Sequence, residues 1–168
     1  MPLEFIKLAE RVLRQLSESG RPCEIAGPVP EAAISEAEEA LGVTFPPSYR
    51  TFLRTFGGIA IPAAVVDEFI GVAPSSEGRP DAHDVVRRTL AARAERNLAE
   101  HLVVVGLHTA NQEWFCLDFS RQKSNDECPV LLYDARENAV DQQFYDDFGK
   151  MVEEVMQFVA DHIDQPLD

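Results

Sequence analysis

The sequence predicts an α+β domain: a mostly antiparallel sheet with helices packed on one face. Three observations carry this. Residues 34–56 repeat apolar side chains at helical spacing, interrupted by a Gly and two Pro. Residues 102–133 hold three short apolar or alternating runs separated by polar turns, the pattern of paired strands. Residues 146–163 return to helical spacing. At 168 residues, with 45% hydrophobic and 26% charged side chains, the chain fits a single globular domain over residues 1–168. Its expected parts are an N-terminal helix and linker over 1–30 and a core over 31–163.

Taken in order, Phe5, Leu8, Val12 and Leu16 form one stripe, with Ala9 and Leu13 beside it, and predict a first helix packed on the core. Its charged face is balanced rather than basic, which argues against a membrane-surface helix. Ser17 to Pro30 is a Gly- and Pro-punctuated connector. Ile34, Ala37 and Leu41 predict a second helix, which Pro30 can open and Gly42 stops. Pro46 and Pro47 block its continuation. A third helix starts near Pro47 or Ser48, with Tyr49, Phe52, Leu53 and Phe56 on one face, and ends at Gly57–Gly58. Ile59-Ala60-Ile61 and Glu68 to Val72 read as short strands, and residues 74–81 as a surface loop. A helix from about His83 to Glu100 is expected to bury Val86, Leu90, Ala94 and Leu98; Arg87, Arg88, Arg93 and Arg96 make it the one basic element.

Leu102 to Gly106 is a continuous apolar run, hence a central strand. Trp114 to Phe119 alternates: Phe115, Leu117 and Phe119 share one face, Trp114, Cys116 and Asp118 the other. A turn through residues 121–127 leads to Val130-Leu131-Leu132-Tyr133, and these two strands should form an antiparallel hairpin. The closing helix should turn Phe148, Val152, Val155 and Val159 inward.

Charge bears on partners. The net charge is −14, and half of it falls in residues 141–168. Such a field repels nucleic acid and anionic lipid and attracts basic proteins. No apolar run approaches the ~18 residues a membrane span needs. Glu4, Lys7, Glu10, Arg11 and Arg14 break up the N-terminal segment, so secretion by a signal peptide is not expected. Cys23, Cys116 and Cys128 are odd in number and widely spaced, which fits reduced cysteines and a cytoplasmic location rather than a disulfide framework or zinc site.

Chemistry finds little support. His83, His101, His108 and His162 are scattered, and no phosphate-binding Gly motif occurs. A hydrolase built on His108, Cys116 and Asp118 is one alternative, and an Asp118–Asp134 acid–base pair across the hairpin is another. Cys116, however, sits mid-strand, away from any helix start that would lower its pKa. No catalytic residue, metal or cofactor is assigned. The expected recognition residues are Trp114, Asp118, Asp134, Asp141, Tyr145, Asp146 and Asp147: an aromatic on the open sheet face, and carboxylates flanking another ring.

The stretch Ile34, Glu38, Leu41, Gly42, Phe45, Pro46, Tyr49, Phe52, Leu53, Gly57, Gly58 resembles the SUKH superfamily, the fold of the yeast Smi/Knr cell-wall assembly regulator and many bacterial homologues. Leu117-Asp118 and Pro129-Val130 match its later strands, and the likeness runs from about residue 25 to 163. These are core and turn residues, so the resemblance speaks to fold more than function. It implies a non-enzymatic protein-interaction module: either an immunity protein that binds a basic toxin domain such as a nuclease, or a regulatory scaffold. Nothing in the sequence sets the oligomeric state.

Overall fold

The computed structural model describes residues 4–21, 23–62, 64, 66–72 and 84–163. Five helices and seven strands run in the order α1 (Glu4–Glu18), β1 (Glu24–Ile25), α2 (Glu31–Leu41), α3 (Pro47–Thr55), β2 (Ile59–Ala60), β3 (Glu68–Phe69), α4 (Val85–Arg96), β4 (Leu102–His108), β5 (Glu113–Asp118), β6 (Val130–Asp134), β7 (Ala139–Tyr145) and α5 (Phe148–Asp161). The strands form one sheet in sequence order, β1 to β7, with every neighbouring pair antiparallel. The α+β class and the antiparallel hairpin of β5 and β6 are as the sequence predicts. Two strands are additions: β1, and β7, whose polar residues carry no strand signal.

The joint between α2 and α3 forms as its residues dictate. Gly42 adopts φ 70°, a left-handed cap whose N–H turns back to the carbonyls of Glu38 and Glu39. Glu38 then pins the joint, accepting the Phe45 N–H at 2.6 Å and pairing with Arg50 at 2.5 Å. Glu31 pairs with Arg50 and Arg54. Pro47 opens α3, and Tyr49, Phe52 and Leu53 are fully buried. Gly57 closes this segment at φ 72°, and a Cβ there would lie 1.8 Å from the Gly27 carbonyl oxygen. Only glycine fits so close an approach in that conformation.

Phe52 is ringed by Tyr49, Phe56, Phe69 and Phe148, with centroids 5.1–6.2 Å apart. This aromatic cluster ties α3 and α5 to β3. Phe69 and Phe115 both register against Gly106, so α3 and α5 lie on the sheet face that carries Phe115. A Cβ at Gly106 would meet the Phe115 Cβ at 3.2 Å. One apolar core runs from Phe5 to Met156.

Helix α4 packs beside β4. Its Thr89 Oγ1 accepts the Val104 N–H at 3.1 Å. The buried stripe is Val85, Thr89 and Ala92, whereas Leu90 and Ala94 are exposed. Of the predicted Val86, Leu90, Ala94 and Leu98, Leu98 is buried just past the helix and Val86 is half-buried, while the stripe on α4 itself is rotated by one residue. A polar Thr holds the inward position because it satisfies a buried strand N–H, which an apolar side chain could not do. His83 and the loop expected over 74–81 lie outside the described residues.

Candidate partner-binding surface

The seven residues singled out by sequence do not form one patch. Strand register explains why. Trp114 pairs with Tyr133 on the face opposite Phe115. Its ring stacks on Tyr133 at 5.5 Å, and the Arg88 guanidinium lies 5.5 Å above it. Trp114 is thus half-buried between a β6 ring and an α4 cation instead of standing open. Tyr133 is fastened to the same helix, donating its hydroxyl to the Arg96 carbonyl at 3.3 Å.

Asp118 is buried at the end of β5. Its carboxylate accepts the Ser120 N–H at 2.9 Å and the Ser120 hydroxyl at 2.6 Å, closing the short helical turn that follows. It is positioned to hold a turn, not to reach a partner. Asp134 has a similar task, accepting the Arg136 N–H at 2.8 Å and pairing with the Arg136 side chain. That side-chain hydrogen bond is the main reason its carboxyl sits below the usual range. Tyr145 is also buried, against Phe115 and Phe144. Burial, with the Glu154 charge adding, pushes its phenol up to about 12. Asp147 caps α5, accepting the Lys150 N–H at 2.8 Å.

Asp141 and Asp146 remain, both exposed. They lie on β7 and just after it. Glu137, in the turn before β7, joins them. Among the described residues none of these three carboxylates has an ion-pair partner; the nearby cations are engaged, Arg136 with Asp134 and Lys123 with the Asp146 carbonyl. Two large exposed apolar residues complete the strand: Val140 (48% exposed) and Phe144 (42%). The sequence singles out none of Glu137, Val140 and Phe144, although Glu137 lies within the acidic run over 134–147. The density of acids over 134–147 was the available signal, but strand placement was needed to connect them.

The enzymatic alternatives fail on geometry. Cys116 pairs with Val104, while His108 pairs with Glu113 nearer the other end of the hairpin. Cys116 is fully buried, and burial drives its thiol pKa far up, away from thiolate chemistry. His108 Nδ1 instead lies 3.3 Å from Glu113 Oε1 and 3.2 Å from Asn111. Asp118 registers with Leu102 and Asp134 with Glu113, so the two carboxylates lie at opposite ends of β5, on the order of 16 Å apart. A cavity of about 560 Å³ does exist at the far end of the sheet, lined by Glu24, Ile25, Gly57, Gly58, Ala60 and Glu68 among others. It holds none of the predicted site residues. Among the described residues no cluster of three or more His, Cys, Asp or Glu could hold a metal, and no helix is long and apolar enough to cross a membrane.

The family model SUKH_5, described as SMI1-KNR4 cell-wall, matches residues 9–157. A solved structure, described as the crystal structure of a protein from Pseudomonas syringae pv. tomato, is similar with a TM-score of 0.59 and 18% identity, covering 88% of this chain and 98% of that one. At that identity the likeness shows the fold alone. No curated protein matches the chain.

Proposed function

The chain belongs to the SMI1-KNR4 cell-wall family, and from that premise we propose that it is a non-enzymatic binding module that neutralises a basic toxin domain, such as a nuclease, by covering it. The observation that supports this most is the group of unpaired carboxylates Glu137, Asp141 and Asp146 at one edge of the sheet, in a chain of net charge −14. Nucleases present basic substrate grooves, and an acidic edge is complementary to them. Charge of this kind acts mainly on association rate and on choice of partner.

The test is capture followed by rescue. The chain is immobilised, exposed to lysate of its native organism at low salt, and eluted with salt. A basic protein should elute, and co-expression of this chain should relieve that protein's toxicity. A partner that binds but is not toxic would favour the regulatory scaffold that the family description also supports. A partner without basic character would refute the electrostatic reading.

A further inference from the structure

Among the described residues, strand β7 is the last strand of the sheet and is paired on one side only, with β6. It spans seven residues, whereas the opposite edge strand, β1, spans two. Ala139 to Phe144 are all exposed. An edge of this length presents a row of outward N–H and C=O groups, a template for an added strand.

The register of β7 is informative. Tyr133 pairs with Val140 and Leu132 with Gln142, so Asp141 is an extra residue. Leu131 pairs with Gln143 and Val130 with Tyr145, so Phe144 is a second. The two bulges therefore fall on the strand's acid and its exposed aromatic. Bulges re-aim side chains, so these two set which residues of the edge an added strand would meet. The Phe144 ring is held in place by Phe115 at 5.9 Å and Tyr145 at 5.0 Å, so it offers a preset apolar anchor.

We infer that the outer edge of β7 is the docking strand, and that it takes an extended Lys- or Arg-bearing segment of a partner as an added strand. This rests on the reading of the chain as a binder of basic proteins. Main-chain pairing would supply the contact, Phe144 and Val140 the apolar anchors, and Glu137, Asp141 and Asp146 the charge selection. A second copy of the chain does not suit the edge. Pairing two β7 strands would bring two copies of this acidic edge, each with Glu137, Asp141 and Asp146, close together, and like charges at that spacing repel.

The test uses the full chain and two probes, a short peptide of alternating lysine and valine and its glutamate–valine counterpart. Amide hydrogen exchange should show new protection confined to residues 139–145 with the lysine peptide and none with the glutamate peptide. Asp141→Lys should weaken binding by about tenfold or more, with an unchanged melting curve. Equal binding of both peptides, protection elsewhere, or β7 protection arising from self-association would each overturn the inference. A basic partner whose toxicity is relieved while β7 stays unprotected would sink this inference and leave the proposed function standing. Peptide-protected β7 with no neutralised partner would do the reverse.

Discussion

Glu127 is the cap of a helix that lies 79 residues earlier in the chain, and removing it should uncover what holds α3. Its buried carboxylate accepts the Ser48 N–H at 3.0 Å and the Ser48 hydroxyl at 2.7 Å. Ser48 lies in the first turn of α3, whose N–H groups have no intrahelical acceptor and where Pro46 offers no side-chain cap. Glu127→Ala removes this cap and leaves the buried Ser48 N–H unsatisfied, one loss of about 1–3 kcal/mol. We expect that loss in urea melts, with a fall in Tm of roughly 2–12 °C for a chain of this size. Ser48→Ala should cost less, and the double variant should fall short of the sum, because the two residues share one interaction. The pH dependence has a definite sign. Burial raises the Glu127 pKa, with the two Ser48 hydrogen bonds opposing it. A carboxyl raised in the folded state gives stability that is fully present below its unfolded value and is lost as pH rises through the folded value. Glu127→Gln keeps an acceptor for the N–H without the charge. It should match or exceed wild-type stability at pH 7, and the gap should close toward pH 4. A Gln variant more than about 1.5 kcal/mol weaker at pH 7 would show that the charge at the helix start matters more than its desolvation, and would refute this account.

Other outcomes follow from the same geometry. Phe52→Ala empties the centre of a five-ring cluster that joins α3 to β3 and α5, and denaturant melts should show a loss of about 3–5 kcal/mol; under ~1 kcal/mol would contradict its burial. Cys116→Ser and His108→Ala should both leave partner neutralisation intact, and loss of neutralisation with fold and binding preserved would revive a catalytic reading. Reversing Asp141 and Asp146 to Lys should slow association and flatten its salt dependence in surface-plasmon kinetics, whereas Asp147→Ala should instead cost about 1 kcal/mol of stability by uncapping α5. Glu31 is held down to about 2, chiefly by its hydrogen bond from Arg54. The stability it provides is present above pH ~4.5 and lost as pH falls toward 2; acid titration of Glu31→Gln should show only a small change on that limb, since the residue is exposed.

The helices, the stops of α2 and α3 and the central hairpin were legible in the sequence because their causes are local. Gly42 and Pro47 act within one turn of where they stand, and Tyr49, Phe52 and Leu53 mark a buried face by spacing alone. Trp114 and Phe115 fall on opposite faces by strand geometry, whatever packs above them. The partner surface was legible only as an excess of acid. Strand β7 went unseen because an edge strand exposed on both sides shows no apolar period. Asp118 and Tyr145 looked like recognition residues, and only the folded chain shows that one holds a turn and the other fills the core. The inward face of α4 turned on whether a strand N–H needed an acceptor, which Thr89 provides and spacing does not reveal. The cap on α3 is the clearest case. Pro47 announces where the helix begins, but its acceptor comes from Glu127, and no local pattern connects residues that only a sheet's worth of intervening chain brings within 3 Å. Local conformational preference is written in neighbouring residues, while the satisfaction of buried polar groups is decided by whichever distant side chain the packing delivers.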